Sequence, residues 1–202
     1  AHDPTEAILS TAEEQDINTM LIDFSFLRNN RKLLSLTTCD IVGIRLRKHF
    51  DQDISQMIIS YDKGRHSDLG LEIGHALSTT NNSKIRIVRG VVEDPDDEVR
   101  VVNKINDKML ELDLKKIQFE KVYGGGNIIP ELLKNFKKDK TALLVLGAGN
   151  QSEAAFSPKT LEIVDKTNKS VIVVRNHRFS GVHARSFFFA LIPRLREIKL
   201  LY

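Results

Sequence analysis

The 202-residue chain has no tryptophan, a single cysteine, five prolines and few aromatics. One cysteine, Cys39, makes no internal disulfide; it opens an apolar stretch, so it reads as a small buried hydrophobe in a protein of a reducing compartment. The longest dense apolar run, 187–192, is far short of the roughly 20 residues that a spanning helix needs, and the N-terminus has neither a basic start nor an apolar signal core. Aromatics make up only 6% of residues and no nucleic-acid reading motif is present, so nucleic acid is not an expected partner. No serine sits in a Gly-flanked elbow and no nucleophile, base and orienter occur together, so the chain is not expected to be an enzyme.

What is present is enough to fold. With 41% hydrophobic and 28% charged residues the chain can bury a core the size of one large or two small domains. The net charge of +3 is uneven, because Arg175, Arg178, Arg185, Arg194, Arg196 and Lys199 crowd the last stretch against Glu197. From Ser180 onward Phe188, Leu191, Ile192, Leu195 and Ile198 recur at helical steps up to a break near Pro193, a basic amphipathic tail that must dock on protein or on an anionic membrane face.

Read along the chain, Asp3-Pro4 starts a helix carrying Ile8 and Leu9. Strands are predicted at 18–25, 40–46, 56–61, 84–92, 116–122, 141–146 and 170–175. Helices are predicted at 29–36, 68–78 with Asp68 as its cap, after Asp94-Pro95-Asp96, at 128–136 and at 158–167. In the helix after Pro95, Val99, Val102, Ile105, Met109 and Leu112 form the apolar face. Strand and helix alternate from Gln56 onward with short connections, which predicts an α/β fold with a doubly wound parallel sheet.

Two stretches repeat one pattern. Ile8-Leu9, then 20–23, then 39–45 match Leu132-Leu133, then 143–147, then 170–175: helix, buried strand, helix, and a closing strand that ends in arginine. The expected division is therefore a partial first module at 1–46, a connector at 47–55, a complete second module at 56–176 and the tail at 177–202.

The element order, with Ile59-Ser60-Tyr61-Asp62 closing the first strand of the complete module and Gly147-Ala148-Gly149 after its fourth, resembles the universal stress protein fold. In that fold the closing strands of two modules often pair antiparallel about a two-fold axis. The resemblance therefore implies that 40–45 pairs with 171–175, hiding two edges, with Ile41, Val42, Ile44, Val171, Ile172 and Val173 at the junction and Phe188, Leu191 and Leu195 of the tail as further interface residues. In that family an acidic residue near Asp62 lies by a nucleotide base, and glycines let backbone N–H groups approach phosphates. The resemblance implies ATP or AMP held by Asp62, Gly147, Gly149 and Ser157. The family's later glycine and hydroxyl pair is replaced here by Phe156-Ser157-Pro158-Lys159, in which Ser157 caps the next helix, and Asp23-Phe24-Ser25-Phe26 of the first copy has no glycine. This favours a tight turn over a phosphate cradle, with no bound cofactor.

A degenerate tandem with an apolar, basic tail further resembles the cytosolic C-terminal domains of amino-acid/polyamine/organocation transporters, prokaryotic cation-chloride cotransporters first and amino-acid permeases next. The residues behind this are 68–74 (DLGLEIG), 84–88 (KIRIV), the long helix from Glu98 and 173–177 (VVRNH). That resemblance implies a non-catalytic regulatory and dimerising module on the cytoplasmic face of a membrane, attached to the membrane part of a transporter. The alternative is a free-standing tandem stress protein that binds ATP or AMP. Asp62, His66 and Asp68 share one loop without the spacing of a metal site, so no metal is expected; His49 and His75 read as structural or solvated.

Overall fold

A computed structural model of the chain describes residues 3–47, 54–62, 64–90, 94–114, 117–122, 129–137, 142–149 and 156–177. The half-module comes first: helix α1 (Pro4–Glu14), strand β1 (Thr19–Asp23), short helices α2 (Phe24–Asn29) and α3 (Arg31–Leu36), and strand β2 (Asp40–Arg45). The complete module follows as β3 (Gln56–Ser60), α4 (Arg65–Asn81), β4 (Lys84–Gly90), α5 (Pro95–Glu111), β5 (Ile117–Val122), α6 (Ile129–Lys137), β6 (Ala142–Gly147), α7 (Pro158–Lys166) and β7 (Val171–Arg175).

Local chemistry sets the boundaries. The Asp3 carboxylate accepts the Thr5 N–H at 2.9 Å and Pro4 fills the first turn of α1, and Asp94 does the same for Asp96 at 2.9 Å ahead of Pro95 in α5. Three expectations need correcting. The first strand stops at Asp23 rather than running to Ser25, because the Asp23 carboxylate accepts the Ser25 and Phe26 N–H groups at 2.8 and 3.1 Å and turns the chain into α2. Asp68 is not a cap: α4 begins three residues earlier, with Gly64 at its N-cap, and the Asp68 carboxylate instead takes the Tyr61 hydroxyl and Lys104 Nζ. On α5 the buried line runs through Val101, Ile105 and Leu112, while Val99 is 59% exposed.

The strands form one seven-stranded sheet in the order β1-β2-β7-β6-β3-β4-β5. Every neighbouring pair is parallel except β2 with β7. Helices cover both faces. One core gathers Met20, Leu27, Leu33, Leu144, Val164 and Val173; the other gathers Met57, Ile59, Leu71, Ile73, Ile87 and Ile105. This is the doubly wound, mostly parallel sheet of the complete module, extended by the last two strands of a second one.

The two modules meet as the closing strands were expected to, antiparallel, with Gly43 opposite Val173 and Ile41 opposite Arg175. An approximate two-fold axis through that pair makes Arg45 the mate of Arg175, Thr37 of Thr167 and Asp40 of Ser170. The hydrogen bonds obey it. Cys39 N–H donates to the Thr37 hydroxyl as Lys169 N–H does to Thr167, and Arg47 N–H donates to Ser170 Oγ as His177 N–H does to Asp40 Oδ1.

Candidate functional site

In a doubly wound sheet, ligands bind beyond the carboxyl ends of the strands where successive crossovers leave in opposite directions. Here that switch point lies between β3, whose chain goes on to β4, and β6, whose chain goes on to β7. Tyr61 and Asp62 leave the end of β3, Gly147 to Gly149 leave the end of β6, and the first turn of α4 lies across the gap. A Cβ on Gly147 would stand 3.1 Å from His66 Cβ and 3.4 Å from the Ser67 nitrogen, so the bare glycine lets α4 approach β6.

All four nucleotide candidates gather there, each already engaged. The Asp62 carboxylate accepts the Ser67 hydroxyl and, at 3.2 Å, the Gly64 N–H, while Asp62 N–H donates to Ser67 Oγ at 3.1 Å; the residue organises the start of α4. Gly149 has φ of +85°, and a Cβ on it would fall 2.4 Å from Ser157 Cβ. Ser157 caps α7, its Oγ accepting the Thr160 N–H at 3.1 Å. The Thr160 hydroxyl donates to the Gly147 carbonyl at 3.0 Å, Ser157 N–H to the Ala148 carbonyl and Ala148 N–H to the Val174 carbonyl, each of the last two at 2.8 Å. Pro158 at the first helical position offers no N–H, and the Ser157 N–H and the Thr160 N–H and hydroxyl are spent within the turn.

His66, expected in a loop, lies in the first turn of α4 with its Cβ against Gly147 at the end of β6. It is 7% exposed and its Nδ1 accepts the Asn176 N–H at 3.0 Å, so the ring is neutral with its proton on Nε2. Burial first, then the Arg65 charge, drives its pKa down to about 4. The Tyr61 hydroxyl, buried and bonded to the Asp68 carboxylate, is pushed well up. Asp62, His66 and Asp68 thus have separate partners, and among the described residues no group of three or more His, Cys, Asp or Glu is placed to hold a metal ion. Cys39 is buried with its sulfur 3.2 Å from Thr37 Oγ1, and burial raises its thiol pKa.

At the junction Ile41, Val42, Val171, Ile172 and Val173 are buried and Ile44 is half-buried. Phe188, Leu191 and Leu195 lie outside the described residues, as do His49 and the tail's basic side chains. The polar ties between modules escaped sequence reading. The Arg45 guanidinium donates to the carbonyls of Val164, Thr167 and Lys169 at the end of α7, Arg28 grips Asp165 through two bonds, and the Phe24 and Phe156 rings meet at 5.0 Å. The signal was there only in the shared terminal arginines of the two closing strands.

The fold and its switch point define a universal stress protein-like architecture, and comparison with solved structures agrees. The chain is similar to a universal stress protein from Archaeoglobus fulgidus, at 12% identity and a TM-score of 0.60, over 87% of this chain and 66% of that one. It is also similar to a universal stress protein from Lactobacillus plantarum, at 14% identity and a TM-score of 0.52, over 62% of this chain and 100% of that one. A universal stress protein in complex with cAMP matches at 14% identity and a TM-score of 0.51, over 61% and 98%. No family model and no curated protein matches the chain. Among the described residues no helix is long and apolar enough to cross a membrane.

Proposed function

We propose that this chain is a non-catalytic regulatory module that takes an adenine nucleotide in the crevice between the ends of β3 and β6. The observation that carries the reading is the convergence of Asp62, Gly147, Gly149 and Ser157, from three separate segments, at the switch point of the sheet. The cAMP bound by a structural neighbour supports an adenylate as the ligand. Calorimetric titration with cAMP, AMP and ATP tests this: micromolar binding to at least one, abolished in Gly147→Val while far-UV circular dichroism is unchanged, is the expected result. Absence of heat with all three would refute it.

A second reading is favoured by the self-satisfied turn at Ser157 and Thr160, whose hydroxyls already hold each other at 2.9 Å. On this reading the crevice is a structural joint. The module, divided into 1–46, 47–55, 56–176 and 177–202, then regulates and dimerises a secondary transporter from the cytoplasmic face, as the resemblance to cation-chloride cotransporters and amino-acid permeases implies. Its support is the basic, apolar tail and a core with no evident chemistry. Silent titrations together with membrane-spanning segments in the same polypeptide favour it; a nucleotide-free monomer with no such segments argues against it.

A further inference from the structure

Between Val174 and His177 the chain leaving β7 is attached to three different parts of the molecule. The Val174 carbonyl accepts the Ala148 N–H of the turn after β6 at 2.8 Å. Asn176 N–H donates to His66 Nδ1, in the first turn of α4, at 3.0 Å. His177 N–H donates at 2.6 Å to Oδ1 of Asp40, the first residue of β2 in the half-module. Two consecutive peptide N–H groups are thus held by side chains of the two modules, with only the φ and ψ of Asn176 between their planes.

The two ends of the seam are built differently. The two-fold relation puts Ser170 in the place of Asp40: Ser170 Oγ accepts Arg47 N–H at 3.1 Å where Asp40 Oδ1 accepts His177 N–H at 2.6 Å. Both side chains are buried. A hydroxyl suffices at the end away from the crevice, while a carboxylate, which costs more to bury, stands at the end beside it. Its bond is short and charge-assisted, and the backbone it holds leads directly to the side chain packed against Gly147. His66 accepts through Nδ1 only as the neutral ring, a state favoured by burial and by the charges of Arg65 and Arg175 and opposed by Asp62.

We propose that Asn176 and His177 form a latch that couples the crevice to the junction with the half-module, so that the bonds to His66 and to Asp40 support each other. With Asn176 N–H fixed on His66, the peptide plane before Asn176 is set and the next plane has two torsions left to order before it meets Asp40. With either bond gone, the other bears more of that ordering cost and weakens. A group that enters the crevice and displaces His66 therefore loosens the hold on β2, and by linkage a change at Asp40 is felt at His66 to the same degree. This coupling goes beyond the adenylate reading and stands whichever ligand the crevice takes.

Amide hydrogen exchange, followed by NMR in the full chain, tests it. His66→Leu removes the acceptor while keeping a side chain of similar size. It is expected to quicken exchange of the His177 amide, whose own acceptor is untouched, about tenfold, while the Arg47 amide at the Ser170 end of the seam changes less than about twofold. Asp40→Ala is expected to quicken the Asn176 amide by a similar factor; should that variant not fold, His66→Leu decides alone. A His177 amide that His66→Leu leaves unmoved, or that quickens no more than Arg47, would overturn the proposal. Neither outcome depends on a bound nucleotide, so silent titrations leave the latch standing and its failure leaves the adenylate reading untouched.

Discussion

Single residues show how much of the crevice depends on atoms that are missing or uncharged. Gly149 holds φ of +85° with Ser157 packed where a side chain would begin, so Gly149→Ala combines backbone strain with a clash against the cap of α7. A loss of about 2 kcal/mol in urea unfolding is expected, within the 1–3 typical of overpacking. His66 makes a statement about pH. Its folded pKa of about 4 lies below the ordinary 6.5, so the fold binds the neutral ring. Its contribution is complete above about pH 6.5 and is lost as the pH falls toward about 4. Denaturation midpoints measured across that window should fall more steeply in the native chain than in His66→Gln; parallel curves would show that another group titrates.

Among the elements, the last turn of α7 and strand β2 carry the junction. Arg45 meets the Val164 and Thr167 carbonyls at the C-terminal end of α7 and the Lys169 carbonyl just beyond it, which satisfies orphan acceptors and complements the negative end of the helix. Arg45→Ala should cost about 1–3 kcal/mol, the range for hydrogen bonds to a charged group whose partners are left unsatisfied. The Arg28–Asp165 pair looks as prominent but is about half-exposed on both sides, and a double-mutant cycle should return less than about 1 kcal/mol. A larger value for Arg28 than for Arg45 would invert this ranking. Element boundaries were legible wherever a carboxylate and a proline stood together, as at Asp3-Pro4 and Asp94-Pro95. They were misread where the cap was spread over a loop: Asp62 and Ser67 jointly start α4, and nothing in the spacing of Asp68 revealed it.

At the scale of the molecule, the two modules share one sheet, so the antiparallel β2–β7 pair is a seam inside the fold rather than a surface between folds. Thermal unfolding followed by circular dichroism at several wavelengths should give one coincident transition, and Arg45→Ala should lower its midpoint without splitting it. Two resolved transitions would mean that 3–47 melts on its own. The half-module has little reason to persist alone: β1 and β2 by themselves form a two-stranded ribbon, below the size at which a sheet is stable in water.

The order of strands and helices, the repeat of the half-module and the glycines at the end of β6 were all determined by the sequence, because period, punctuation and glycine act over a few residues; the antiparallel pairing of the closing strands came only with the resemblance to a known fold. Only the tertiary structure decided that His66 packs from the first turn of α4 against Gly147, that Ser157 and Thr160 hold each other's hydroxyls, and that Arg45 rather than Arg28 clasps the end of α7. Those outcomes depend on which side chains the folded sheet brings within 3 Å of one another across more than a hundred residues, and no local pattern encodes that distance.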